Sequence, residues 1–296
     1  MGTLFIPLLA ACAGGSDRVA IDVDGAARNY YVHVPDGLSD SVPLLLMFHG
    51  GGPSGDSKGR GGANFTGFND IADAEGFVVA YPSSYDGNWD DGRDTPHLPP
   101  EGIDDLAFVD AVIADIAGRA DLDPARIYAT GASNGGFFTN RLACERSQTF
   151  AAAANVIGSM PEGYDCAPAQ PVPMLLMPGT EDPLVLWEGG AVANEDRGAS
   201  ISINDAVMFW VDHNQCEPAP DTTELPDVNQ DDNSVVRVDE YHSCATGAEV
   251  ELWAVEGGGH AWPGGSQYLP KSMIGEVNQD IDASAVIWEF FERFQR

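Results

Sequence analysis

Arg126-Ile127-Tyr128-Ala129-Thr130-Gly131-Ala132-Ser133-Asn134-Gly135-Gly136-Phe137-Phe138 is the stretch that decides how this chain folds. Arg126 to Thr130 reads as a short buried strand, and Gly136 to Cys144 as the start of an amphipathic helix. Between them lies a tight strand-to-helix turn built on glycines. A serine on such a turn is held proud of the sheet, with the free N–H groups of the helix beneath it, which is the posture of a nucleophile. The G-x-S-x-G spacing alone is a weak signal in a chain with 34 glycines. The strand before it and the helix after it give it weight, and the competing reading is a glycine-rich turn.

A serine nucleophile needs an acid and then a histidine, each on a loop after a later strand. Pro171 to Met177 is an apolar run of strand character that gives way to Gly179-Thr180-Glu181-Asp182-Pro183, which places Asp182 at the end of a strand. Val250 to Val255 alternates as a strand does and runs into Gly257-Gly258-Gly259-His260. Glycines there let a loop bring the His260 imidazole close to Ser133. Taken singly, Gly-Thr-x-Asp-Pro is also an Asp-initiated turn and His260 a lone histidine; the order and context of the set argue for Ser133, Asp182 and His260 as a catalytic triad.

Acyl chemistry also needs N–H donors for an oxyanion. Val42 to Phe48 is a continuous apolar run, as a strand buried on both faces must be, and it ends in His49-Gly50-Gly51-Gly52-Pro53. Gly51 N–H is assigned as one donor, with Gly52 as the alternative, and Asn134 N–H as the other. A glycine-rich linker is the competing reading of residues 49–53.

With these segments the chain resembles the extracellular esterase family of α/β-hydrolases that contains polyhydroxybutyrate depolymerases, feruloyl esterases and the acetylxylan and feruloyl enzymes of carbohydrate esterase family one. The likeness extends from about Arg28 to Phe291. Its specific motifs are Ala132-Ser133-Asn134-Gly135-Gly136 and Gly257-Gly258-Gly259-His260-Ala261-Trp262-Pro263-Gly264, supported by Asn88-Trp89-Asp90-Asp91-Gly92-Arg93, Asp104-Asp105-Leu106, Gly179-Thr180-Glu181-Asp182-Pro183 and the tail Asp280-Ile281-Asp282-Ala283. The resemblance implies the α/β-hydrolase fold and carries the family's triad onto Ser133, Asp182 and His260, in agreement with the reading of the residues themselves.

Strand-like and helix-like runs alternate through the chain, which predicts an α/β architecture, a mostly parallel central sheet with helices on both faces. The start differs. Arg18 to Val23, the dipeptide Asp24-Gly25 and Asn29 to Val34 predict an antiparallel hairpin on a type I′ turn, at the edge of the sheet. No internal repeat or long linker divides the 296 residues. Residues 1–17 read as a signal or lipobox segment with its tether, and residues 18–296 as a single catalytic domain.

The charge is extreme: 46 acidic against 14 basic side chains, a net charge of −32. Such a surface repels nucleic acid and anionic membranes, so neither is an expected partner. It repels itself at low ionic strength, and we read it as halophilic, with generic solubility as the alternative. Asp227 to Asn233 begins like a calcium loop but has Asp232 where a glycine belongs and no glutamate at the twelfth position, so a solvated acidic loop is the expectation.

Five cysteines divide into one and four. Leu9-Ala10-Ala11-Cys12 fits a lipobox behind an apolar run too short to span a membrane, so Cys12 is a candidate lipidation site and membrane attachment would occur only through it. The preceding residues lack a positively charged region. Cys144 with Cys166 and Cys216 with Cys244 each bracket a short segment and are expected to pair, which fits an exported protein. A zinc site is the alternative for these four, without a C-x-x-C spacing to support it.

These parts describe a secreted serine ester hydrolase. His260 takes the Ser133 proton, Asp182 orients and stabilises the imidazole, and the N–H pair receives the oxyanion; no metal or organic cofactor is implied. Asp104 and Asp105 are rival acids, but they precede the serine and begin what reads as a helix, where capping is the expected task. Trp89, Trp187 and Trp262 are candidate platforms for a flat or polymeric substrate, against the ordinary reading as packing, and Leu184 to Ser200 is a candidate lid ahead of a helix near Ile203 to His213. The substrate class implied by the resemblance is an ester on or of an extracellular polymer: feruloyl or acetyl groups on polysaccharide, or a polyhydroxyalkanoate. Two other readings are a catalytically inactive polymer-binding surface lipoprotein and a serine peptidase of the same fold.

Overall fold

The computed structural model describes residues 15–38, 41–52 and 58–296; Cys12 and the rest of the lipobox lie outside the described residues. In chain order the strands are β1 (Asp17–Val23), β2 (Ala26–His33), β3 (Val42–Phe48), β4 (Val78–Pro82), β5 (Leu122–Ala132), β6 (Ala152–Val156), β7 (Met174–Met177), β8 (Gly190–Ala191), β9 (Ala199–Ser200), β10 (Asp221–Glu224), β11 (Val235–Tyr241) and β12 (Val250–Glu256). The helices are α1 (Lys58–Thr66), α2 (Phe68–Glu75), α3 (Asp105–Ala117), α4 (Asn134–Glu145), α5 (Ile203–His213), α6 (Lys271–Ile274) and α7 (Ala283–Phe291).

Ten strands form one sheet in the order β1-β2-β4-β3-β5-β6-β7-β12-β11-β10, and β8 with β9 make a separate ribbon. The six strands from β4 to β12 run parallel to one another. The order reverses at β3, where the connections leave in opposite directions and a crevice opens at the strands' C-terminal ends. The expected hairpin is present: β1 pairs antiparallel with β2 across Asp24 and Gly25, both at positive φ (52° and 84°), and β1 forms the edge. The opposite flank was not expected from sequence, since β11 and β10 extend the sheet antiparallel beyond β12. Every residue of β10, Asp-Thr-Thr-Glu, is exposed, so it carries no hydrophobic pattern to reveal it.

β3 is buried along its whole length. Because side chains alternate across a strand, Leu44, Leu46 and Phe48 face one layer of core and Leu45 and Met47 the other. The first layer receives α3, α4 and α5 through side chains such as Val109, Leu142 and Trp210. The second receives α1, α2 and α7 through Ala63, Phe68 and Ile287. Helices therefore cover both faces, as an α/β-hydrolase requires.

Both expected disulfides form, Cys144–Cys166 and Cys216–Cys244. The two adjacent acids at the start of α3 divide their work. Asp104 caps the helix, accepting from the N–H groups of Leu106 and Ala107 at 2.8 and 3.0 Å. Asp105 does not cap. It is buried and accepts from Arg28 of β2 at 2.7 Å and from Asp90 N–H at 2.9 Å, which ties β2 to the loop before α3. Burial raises its pKa against the opposing effect of the Arg28 guanidinium. In the acidic segment, Asp232 is buried rather than solvated: it accepts from Ser234 and from Gln279 N–H, while Asp280 accepts from Val228 and Asn229 N–H.

Candidate active site

Ser133 sits between β5 and α4 with φ 57° and ψ −121°, a conformation that costs a non-glycine residue about 1–3 kcal/mol. Its neighbours enforce it. A Cβ on Gly131 would lie 2.3 Å from Gly135 O, and one on Gly135 would lie 2.2 Å from Phe48 O, so both glycines of the motif are demanded by close backbone contact. Ser133 N–H donates to Val156 O on β6 at 3.0 Å, which fixes the turn to the sheet.

The three residues gathered from sequence meet in space. His260 Nε2 is 2.8 Å from Ser133 Oγ, and His260 Nδ1 is 2.7 Å from Asp182 Oδ2. An ionised carboxylate only accepts, so Nδ1 carries the proton and Nε2 faces the serine as an acceptor. Asp182 is aimed by its other oxygen, which accepts from the N–H groups of Leu184 and Val185 at 2.8 and 2.9 Å. His260 comes off β12 on a loop whose glycines pass through tight quarters: a Cβ on Gly259 would lie 2.0 Å from Ile274 O. The Tyr268 hydroxyl donates to His260 O at 3.0 Å, and burial, with the charge of Asp182 adding to it, pushes that phenol up to about 12, so it stays a donor. Chemically the row is a hydroxyl with a base at its proton and a carboxylate behind the base.

The loop after β3 meets the start of α4. Gly52 N–H donates to Gly87 O at 3.2 Å and is thereby committed, which favours Gly51 over the alternative donor. Gly51 lies against Asn134, where a Cβ would be 3.3 Å from Asn134 Cβ. His49 braces this loop, with Nδ1 donating to Gly50 O at 2.8 Å and Nε2 accepting from Ser84 N–H at 3.1 Å.

Sequence reasoning missed what holds these two segments in register. Asn134 is gripped by the loop after β4: its Oδ1 accepts from Trp89 N–H at 2.8 Å, and its Nδ2 donates to Asp91 Oδ2 at 2.6 Å. Asp91 is fully buried and also receives Arg93 Nε and Nη2 at 2.9 and 2.6 Å. The Trp89 indole N–H donates to His49 O at 3.0 Å. One loop thus touches both the segment that carries Gly51 and the segment that carries Asn134. The Asn88 to Arg93 motif was visible, but no local signal says that it reaches a residue 43 positions away.

The tryptophan expectations need correction. Trp89 is 1% exposed and stacks on Phe138 with centroids 5.0 Å apart; Trp262 is 2% exposed, lies edge-on to Phe68 and donates its indole N–H to Ser284 Oγ at 3.1 Å. Neither lines the cavity beside Ser133, so both are packing groups: a large ring with one polar edge is satisfied inside the core. Trp187 does not line it either.

Ser133 and His260 open onto a cavity of about 590 Å³. Met47, Phe65 and Ile157 give it an apolar wall, while Asn88, Arg93 and Arg197 give it a polar end. Leu184, Val185 and Val192 come from the segment read as a lid, which forms one wall; Val185 and Val192 pack on Phe137 of α4. Among the described residues, no group of three or more His, Cys, Asp or Glu side chains is arranged to hold a metal ion.

The fold and this site define an α/β-hydrolase. No protein-family model matches the chain. It is 29% identical over 283 residues to NocK of Nocardia uniformis subsp. tsuyamanensis, whose name is that of an esterase, covering 90% of this chain and 80% of the relative. It is 26% identical over 310 residues to feruloyl esterase D of Neurospora crassa, covering 98% and 93%. With poly(3-hydroxyalkanoate) depolymerase C of Paucimonas lemoignei it shares 24% over 288 residues, 87% of this chain and 65% of the relative. Among solved structures, acetyl xylan esterase from Aspergillus awamori superposes with a TM-score of 0.62 at 15% identity, over 93% of this chain and 99% of that one, which shows the shared fold. Over 87–98% of its length the chain is similar to esterases of this kind, a feruloyl esterase and a polyhydroxyalkanoate depolymerase among them, and it is a carboxylic ester hydrolase.

Proposed function

We propose that Ser133, His260 and Asp182 carry out the hydrolysis, with the N–H groups of Gly51 and Asn134 receiving the oxyanion. The supporting observation is the unbroken row Ser133 Oγ–His260–Asp182 at 2.8 and 2.7 Å, opening onto the cavity. Ser133 Oγ attacks the ester carbonyl as its proton passes to His260 Nε2. Asp182 stabilises the resulting imidazolium, which then protonates the departing alcohol. Water, deprotonated by the same imidazole, releases the acid from the acyl-enzyme. In this reading the N–H groups of Gly51 and Asn134, fixed by the fold, receive the developing negative charge, so little reorganisation is needed at the moment of reaction.

The substrate in this reading is an ester on or of an extracellular polymer, a feruloyl or acetyl group on polysaccharide or a polyhydroxyalkanoate backbone. Two disulfides support an exported enzyme, since such bonds persist in oxidising surroundings. Residues 18–296 act as one catalytic domain, and Cys12 is the residue that would carry a lipid. Product release from methyl ferulate, acetylated xylan, p-nitrophenyl butyrate and polyhydroxybutyrate film, each against Ser133→Ala, tests this. Cleavage of at least one, abolished by the substitution, is the expected result; cleavage undiminished in Ser133→Ala contradicts it.

A further inference from the structure

The cavity beside Ser133 has a charged end that the hydrolytic steps do not use. The chain holds 46 acidic and 14 basic side chains, yet the described residues lining this cavity include two arginines and no Asp or Glu. Arg93 is neutralised there by Asp91 and lies over the Phe137 ring. Arg197 is not. Its Nη1 donates to Asn88 Oδ1 at 3.2 Å, and it makes no ion pair with a carboxylate among the described residues. Other arginines of the chain are taken up by acids, Arg28, Arg119, Arg126, Arg141 and Arg146 among them. With carboxylates more than three times as numerous as cations, a half-buried guanidinium that meets an amide instead keeps its charge and most of its five N–H donors for something else. It also stands near the reacting centre. Asn88 Oδ1, which it holds, is packed against Gly51, where a Cβ would be 2.7 Å from that oxygen.

Building on the assignment of Ser133 as the nucleophile, we propose that Arg197 binds a carboxylate of the substrate, so that the enzyme selects esters bearing an acid group a few bonds from the scissile carbonyl. The net charge of −32 repels such a substrate at a distance, but at about 1 M salt that repulsion is screened within roughly 3 Å, while a contact inside a cavity is screened less. The planar guanidinium fork suits a carboxylate and gives a neutral ester nothing comparable.

The test compares two pairs of esters in about 1 M NaCl, the condition that isolates the short-range contact. Monoethyl adipate against ethyl hexanoate places the acid on the acyl side, and O-butyryl glycolate against propyl butyrate places it on the alcohol side. The expected result is that one acid ester exceeds its neutral partner in kcat/KM. Arg197→Gln should then lower that ester by on the order of tenfold to a hundredfold, chiefly through KM, and neutral esters by less than about threefold, with Arg197→Lys in between. No preference for either acid ester in the native enzyme overturns the proposal. Equal losses on charged and neutral esters in Arg197→Gln also overturn it, and make Arg197 a prop for Asn88. Hydrolysis of ethyl hexanoate that disappears in Ser133→Ala establishes the nucleophile whichever ester is preferred, so the two claims fail separately.

Discussion

Asp91 Oδ2 lies 2.6 Å from Asn134 Nδ2 and joins the loop after β4 to the first residue of the helix that follows Ser133. The same carboxylate holds Arg93. Trp89, two residues earlier, holds both Asn134 and His49. The two N–H groups proposed as oxyanion donors come from segments far apart in sequence, Gly51 after β3 and Asn134 after β5, so their spacing depends on something that touches both. That something is the loop from Asn88 to Arg93.

This contact predicts a catalytic loss without direct chemistry. Asp91→Asn keeps the shape but not the charge, and should lower kcat by up to the 10²–10³-fold lost when a whole oxyanion donor is removed, with KM little changed. Asp91→Ala should in addition destabilise the fold by about 3–5 kcal/mol, because Arg93 is left buried without its partner. Steady-state kinetics on a soluble ester and thermal unfolding check both; native kcat in Asp91→Asn would show that the loop does not set the donors.

The disulfides should matter for stability rather than chemistry. Cys144–Cys166 anchors the far end of α4, and Cys216–Cys244 ties the end of α5 to the approach to β12. Replacing either pair by serine should cost about 2–5 kcal/mol. Denaturant unfolding measures it, and mass spectrometry of a non-reduced digest should find these two cross-linked peptides and no Cys144–Cys216 species.

Glu145, at the end of α4, gives a pH prediction. Burial raises its pKa, but the Tyr164 hydroxyl at 2.5 Å and Arg141 Nε at 2.6 Å outweigh that and hold it below the usual carboxylate range. The folded state therefore binds this proton less tightly than the unfolded chain. The resulting stability is whole above the ordinary value of about 4.3 and is lost as pH falls through the folded value. Glu145→Gln should lower Tm at neutral pH, with the gap to the native protein closing as pH falls below the usual carboxylate range. A gap independent of pH would mean that packing, not charge, stabilises this corner.

With 46 acids and 14 bases, most carboxylates have no cation to pair with, and their mutual repulsion is of a kind that salt removes. Tm should rise by several degrees between about 0.05 and 2 M NaCl, most steeply in the first few hundred millimolar, and KCl should act alike. A flat or falling Tm would remove support for a halophilic surface.

The hydrogen-bonded row of Ser133, His260 and Asp182 was legible in sequence because each member follows a strand and sits on a turn of characteristic residues: Ser133 between glycines, Asp182 before a proline, His260 behind three glycines. Local patterning carries that much. The hairpin at β1 and β2 was legible for the same reason, through Asp24-Gly25. What escaped were contacts between distant segments. Trp89 and Trp262 could be seen as aromatic but not as buried, because the rings that enclose them, Phe138 and Phe68, lie 49 and 194 positions away. Asp105 read as a cap beside Asp104, and only the return of β2 beneath α3 brings Arg28 to it. β10 escaped because an exposed antiparallel edge needs no apolar side chain.

The most direct test of the central claim is covalent labelling by a fluorophosphonate, followed by peptide mass spectrometry. An activated serine attacks phosphorus irreversibly, whereas an ordinary surface serine does not. One adduct on Ser133 is predicted, with labelling slowed at least about a hundredfold in His260→Ala, where the base is gone, and slowed in Asp182→Asn, where the base is misoriented. An adduct on another serine, or labelling of Ser133 at the native rate in His260→Ala, would contradict the account.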